Sequence, residues 1–203
     1  MPTSRTSDRT DRAQTPTVVI VSGNPRTGSR TLTAATAVAQ RVAEHLGGAA
    51  LGTIDLAEIA PEILTTEHPG ADAALAELAS ATVAIVATPV YKASYTGLLK
   101  SFLDLYGPNG LAGVVAVPLV VSGNPGHAFA GEVHLRPLLV ELGASVPTRS
   151  LALLESQLAD PGAAIDAWLG QGGDALRRAA GPAPAGATAL APVREDALQG
   201  AAS

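Results

Sequence analysis

Three short stretches hold the side chains best suited to chemistry: SGNPRTGSRT (22–31), TPVYKASYTG (88–97) and SGNPGH (122–127). The first carries Asn24, Arg26, Thr27, Ser29, Arg30 and Thr31 where an apolar, strand-like run gives way to a helix-like one. Hydroxyl donors, a guanidinium and the open N–H groups of a helix start together suit a phosphate dianion. The alternative is a solvated loop whose hydroxyls merely cap the helix; the density of donors favours the phosphate. Gly23 and Gly28 have the spacing of a Walker A loop, but Ser29 stands where its lysine belongs, which argues against nucleotide hydrolysis.

The second stretch contains Tyr91 and Tyr95, two of the protein's three tyrosines, together with Lys92. Aromatic rings beyond a strand end can stack on a planar ligand. Tyr95 has two readings of equal weight, stacking or packing with Leu98, Leu99 and Phe102, whereas Pro89 and Val90 are placed to face a ring through their backbone. In the third stretch Gly123, Asn124 and Gly126 allow backbone to approach a ligand closely. It repeats the VSGNP of residues 21–25 at 121–125, which is good turn chemistry more than a sign of duplication. His127 is read as a cap for the helix that follows, with ligand contact as the alternative.

Acidic residues avoid these loops in the sequence: none occurs from 12 to 43, and only Asp104 from 78 to 131. The expectation is that an anion meets Arg26, Arg30 and Lys92 with no carboxylate nearby, although the net charge is −5. Catalysis by the protein's own groups is not legible. There is no cysteine, the histidines at 45, 68, 127 and 134 have no metal-ligand spacing, and neither Ser22 nor Ser122 sits in a G-x-S-x-G elbow. No catalytic residue and no metal ligand is therefore nominated.

The elements that must position these loops follow from periodicity. Residues 17–22, 82–89 and 114–122 are nearly unbroken apolar runs, as in parallel strands covered on both faces, and 50–56 is a weaker fourth strand. Leu32, Ala35, Val38, Ala39, Val42 and Leu46 mark one helix, started at Ser29 and stopped at Gly47; Leu98 to Tyr106 mark another; Phe129 to Leu142 mark a third, closed by Gly143. The alternation predicts a single α/β domain with a doubly wound, five-stranded parallel sheet in the flavodoxin-like order 2-1-3-4-5. Residues 145–154 are the fifth strand, where Pro147 demands an edge; Pro118 inside the fourth calls for a bulge. Pro137 removes a helix donor toward Val133, so that turn should kink or widen, a feature often found at functional or subunit contacts. Residues 1–16 are expected to be a disordered arm, 17–180 the working domain, with a weak last helix from about Gly170, and 181–203 a disordered tail rich in Ala, Pro and Gly.

Composition narrows the partners. A pI near 5.3 argues against a nucleic-acid surface, and no apolar stretch approaches the ~20 residues needed to span a bilayer. The polar start, MPTSRTSDRTDRAQTP, lacks a signal-type apolar core, so a cytoplasmic location is expected.

The stretches GNPRTGSRT, TPVYKASYTGLLKSFLDLY and SGNPGH leading into LRPLLVELGA resemble the NAD(P)H-dependent FMN reductases, above all those that serve alkanesulfonate monooxygenases, over roughly residues 17–160. The resemblance implies an oxidoreductase that moves a hydride from NADPH or NADH to FMN and supplies FMNH2 to a partner monooxygenase. It also implies that Arg26, Ser29 and Thr31 hold the FMN phosphate, with Asn24 where relatives usually carry serine. Pro89, Val90, Tyr91 and Lys92 would line the isoalloxazine, with Gly123 and Asn124 near its other side. A homodimer or homotetramer is implied too, some relatives carrying an inserted aromatic near Val133 and His134 at a subunit interface. Two alternatives keep the fold: a flavoprotein with tightly bound FMN that reduces quinones, azo compounds or chromate, and a non-catalytic flavin-binding electron carrier.

Overall fold

A computed structural model describes residues 15–181; most of the expected arm and tail lies outside them. Strands β1 (Thr17–Ser22), β2 (Ala50–Asp55), β3 (Val83–Pro89), β4 (Val115–Ser122) and β5 (Leu151–Leu154) form one parallel sheet in the order β2-β1-β3-β4-β5, as the periodicity predicts. Every side chain of β3 and β4 is buried, because alternate residues feed two cores and neither face meets water. On one face α1 (Arg30–His45) and α6 (Gly162–Ala179) pack on Val18, Ile20, Ile85 and Val117. On the other, α3 (Pro69–Ala79), α4 (Gly97–Leu103) and α5 (Arg136–Glu141) cover Val19, Val21, Val86 and Val120, with the short α2 (Leu56–Ile59) beside them. The weak sequence signal of β2 has a cause: its outer half is exposed at the sheet edge, and only Ile54 and Asp55 are buried. Among the described residues no helix is long and apolar enough to cross a membrane.

Four expectations are corrected. The fifth strand is shorter than 145–154, and Pro147 lies ahead of it instead of within it. Side chains take over that lead segment: Arg136 donates to the carbonyls of Val146 and Thr148, and Glu132 accepts the N–H of Ser150. Pro118 causes no bulge, for β3 and β4 stay in continuous register from Val83–Val115 to Pro89–Val121. Ala116 donates to Ser145 on the β5 side, so by alternation Pro118 faces that side as well, in the gap before pairing resumes at Leu119–Leu151. The missing donor thus falls where the ladder is already interrupted.

The last helix begins at Gly162, about eight residues before the expected start, and it is anchored by buried Ile165, Trp168 and Leu176. Its glycines mark close contacts. A Cβ on Gly172 would stand 3.0 Å from Thr148 Cγ2, and one on Gly173 would stand 2.7 Å from His45 Nε2. The widening anticipated from Pro137 is present: residues Gly131–Leu135 form a π-helical turn that runs straight into α5.

Candidate functional site

All three loops emerge at the carboxyl rim of the sheet, the ligand-binding edge of open α/β folds. In the first, Ser29 is the N-cap of α1, with extended backbone and a side-chain oxygen that accepts the Leu32 N–H at 3.3 Å. The Asn24 carboxamide is spent on the loop itself: Oδ1 accepts the Arg26 N–H at 3.0 Å and Nδ2 donates to Thr31 Oγ1 at 3.1 Å. Asn24 therefore braces the loop. The Gly28 N–H, at a residue held at φ +62°, is taken by Asp55 Oδ2 at 2.9 Å. What remains is a row of donors, the N–H groups of Thr27, Ser29, Arg30 and Thr31, with no partner among the described residues. Beside them the exposed Arg26 guanidinium is unpaired among the described residues. Such a donor row at a helix head fits a phosphate dianion.

The second loop is fastened to its neighbours. Val90 donates its N–H to the Val121 carbonyl at 2.8 Å. Thr96 caps α4 and donates its hydroxyl to the Gly23 carbonyl at 2.6 Å, while Thr88 Oγ1 accepts the Thr96 N–H at 3.2 Å. Gly23 must be glycine, since a Cβ there would lie 2.7 Å from Leu99 Cβ. Between these anchors Tyr91 and Ser94 exchange backbone hydrogen bonds around Lys92 and Ala93, both at positive φ (52° and 65°). That is a two-residue turn of the I′ kind built without Asn or Gly, a strained arrangement that presents Tyr91 and Lys92 outward. Pro89 is buried and Val90 half-buried at the strand exit. Tyr95 takes its packing role, half-buried on the core under α3, α4 and α5.

In the third loop Asn124 Oδ1 accepts the Gly126 N–H at 2.8 Å, the same local turn that Asn24 makes, so the repeated VSGNP is repeated in geometry. This turn caps a single 3-10 turn, Pro125–His127, and the expected cap by His127 is not made: the helix that follows, Gly131–Leu135, starts at Ala130 with no side-chain cap. Gly123 and Asn124 are exposed at the rim.

The electrostatic expectation is corrected as well. The tertiary fold brings two carboxylates that the linear count kept away: Asp55 under Gly28, and Glu155, whose Oε2 meets Arg30 Nη2 at 3.0 Å. Glu155 also flanks Gly123, so it borders the first and third loops at once. Arg30 is thus partly neutralised, leaving Arg26 and Lys92 as the cations without an ion pair here among the described residues. Sequence reasoning missed Asp55, Thr88, Thr96 and Glu155. Thr96 was the most readable of these, a Thr directly ahead of an apolar helical run.

A five-stranded parallel sheet in the order 2-1-3-4-5, with a donor-lined first loop at its carboxyl rim, defines a flavodoxin-like α/β protein. The comparisons make this specific. Residues 16–157 match the family model described as NADPH-dependent FMN reductase. The chain is 33% identical over 148 residues to "FMN reductase (NADPH)" of Escherichia coli strain K12, covering 70% of this chain and 75% of that one. It is 32% identical over 148 residues to "NADH-dependent FMN reductase SfnE" of Pseudomonas putida, covering 70% and 79%. A solved apo structure of an NADH:FMN oxidoreductase (EMOB) superposes with a TM-score of 0.67 at 31% identity, over 82% of this chain and 89% of that one. The chain belongs to the NADPH-dependent FMN reductase family, oxidoreductases that use FMN and a reduced nicotinamide nucleotide.

Proposed function

We propose that this chain binds FMN with its phosphate on the first loop and its ring between the second and third. The observation that carries the reading is the row of open N–H groups at Thr27, Ser29, Arg30 and Thr31. Arg26 supplies a mobile charge, and Ser29 and Thr31 hydroxyls finish the cradle, with Asn24 holding its shape. Pro89, Val90, Tyr91 and Lys92 offer one wall to the isoalloxazine, and Gly123 with Asn124 the opposite rim. Lys92 and Ala93 at positive φ stiffen that wall, so little ordering is left for the ligand to impose.

Bound flavin would supply the redox chemistry, taking a hydride from the reduced nicotinamide and a proton from solvent to become FMNH2. The protein's part would be orientation: the second and third loops would hold the flavin ring where the nicotinamide can approach it, and no proton-transfer residue is nominated. The catalytic unit is contained in residues 17–180. The product, FMNH2, would serve a partner monooxygenase, and the relatives named for NADPH and for NADH set the two nicotinamides to compare. The exposed Val133 on the π-turn and Val140 on α5, with the exposed Phe129 just ahead of them, support a homodimer or homotetramer, and a cytoplasmic location is part of the same proposal.

Steady-state oxidation of NADPH and of NADH, each with FMN, FAD and riboflavin, tests the proposal. Turnover should depend on added flavin and favour FMN. No turnover with any flavin and either nicotinamide refutes it.

A further inference from the structure

We propose that Asp55 is a positioning residue that shapes the phosphate loop from the neighbouring strand. The inference rests on the reading of residues 24–31 as the FMN phosphate site. Parallel pairing sets Asp55 level with Ser22, the last residue of β1, so the carboxylate stands under the loop that β1 feeds. It is buried, and both oxygens are engaged: Oδ2 accepts the Gly28 N–H at 2.9 Å and Oδ1 accepts the Ala57 N–H at 3.3 Å.

The consequence lies in which donors point where. Across residues 26–31 the N–H groups of Arg26 and Gly28 turn inward, to Asn24 and Asp55. Those of Thr27, Ser29, Arg30 and Thr31 are left for a ligand. The Gly28 backbone at φ +62° is a conformation that costs a non-glycine residue, and the Asp55 hydrogen bond is what holds the peptide there. Without it the loop must be ordered by the incoming phosphate, and that ordering is subtracted from affinity. Asp55 does not touch the flavin; it acts through Gly28.

The test is direct binding followed by flavin fluorescence, with FMN and riboflavin, on the full chain and its Asp55→Ala, Asp55→Asn and Gly28→Ala variants. Circular dichroism and urea unfolding check that each is folded. Asp55→Ala removes the α2 cap along with the charge-assisted bond to Gly28, and loss of the Gly28 bond should raise the FMN Kd about tenfold; the rise should be smaller in Asp55→Asn, whose amide oxygen still accepts one N–H. Riboflavin, which has no phosphate, should bind all variants alike. Gly28→Ala strains the same hinge while leaving Asp55 and α2 untouched, and there is open space where its methyl would go; it should reproduce the FMN-selective loss even if Asp55→Ala does not fold. Equal losses for both flavins overturn the inference, since a merely structural carboxylate would act that way. Asp55→Asn binding FMN more tightly than the parent also overturns it, because the carboxylate would then act as a repelling charge. A parent protein that binds FMN no better than riboflavin is a separate result, which removes the phosphate-site reading and this inference with it.

Discussion

Replacing Thr96 by valine should loosen the joint between the first and second loops, and the cost can be worked from its contacts. The hydroxyl is buried, donates to the Gly23 carbonyl at 2.6 Å and accepts the Leu99 N–H at 3.2 Å. Valine keeps the shape and the extended backbone of a cap residue but removes both bonds. Losing an N-cap costs about 1 kcal/mol. Stranding a buried carbonyl costs about 1–3 kcal/mol more, so the sum is about 2–4 kcal/mol. That is a large part of an ordinary domain stability of about 5–15 kcal/mol, yet the variant should still fold. In urea, with a slope of about 2 kcal/mol/M, the midpoint should fall by about 1–2 M. Thr96→Ser keeps the hydroxyl and loses one methyl, about 0.8 kcal/mol. Because Gly23 opens the phosphate loop, the FMN Michaelis constant should rise in the valine variant and stay near the parent value in the serine one. If serine proves as damaging as valine, the two hydrogen bonds are not what fastens this joint.

Arg26→Ala should raise the FMN Michaelis constant about tenfold, the worth of a charge-assisted contact, while activity with riboflavin is spared; equal losses with both flavins would mean that Arg26 has another task. Glu155→Gln should release Arg30 toward the loop, lowering the FMN Michaelis constant, while stability changes by less than about 1 kcal/mol because the pair is exposed. A weaker FMN interaction in that variant would refute the corrected charge map. Tyr106 donates to the Leu75 carbonyl at 2.8 Å, and burial raises its ionisation above the ordinary value of 10.0. The folded state therefore keeps this proton after the unfolded chain has lost it. Its stabilising contribution is complete below about pH 10 and declines as pH rises beyond it. Tyr106→Phe should flatten the alkaline limb of stability measured by urea unfolding at several pH values, and an unchanged limb would count against the assignment.

The sheet was legible in the chain because its central strands are buried on both faces, and residues 83–89 and 115–122 have to be apolar throughout. The first helix and its cap were legible for a similarly local reason: Ser29 and the spacing of Val38, Ala39 and Val42 act within a few residues of one another. The gathering of the 22–31, 88–97 and 122–127 loops at one rim followed from strand order alone.

Contacts between residues far apart in the chain decided the rest. Asp55 meets Gly28 across 27 positions and Glu155 meets Arg30 across 125, so no local window shows that the acid-free stretches acquire carboxylates in space. Gly172 and Gly173 look like helix breakers in sequence, yet they let α6 lie against Thr148 and His45. Propensity weighs each residue against its own backbone, while packing weighs it against a neighbour the linear chain does not identify. Pro118 and Pro147 make the same point: whether a missing donor costs anything depends on whether a partner strand stands opposite, and only the assembled sheet answers that.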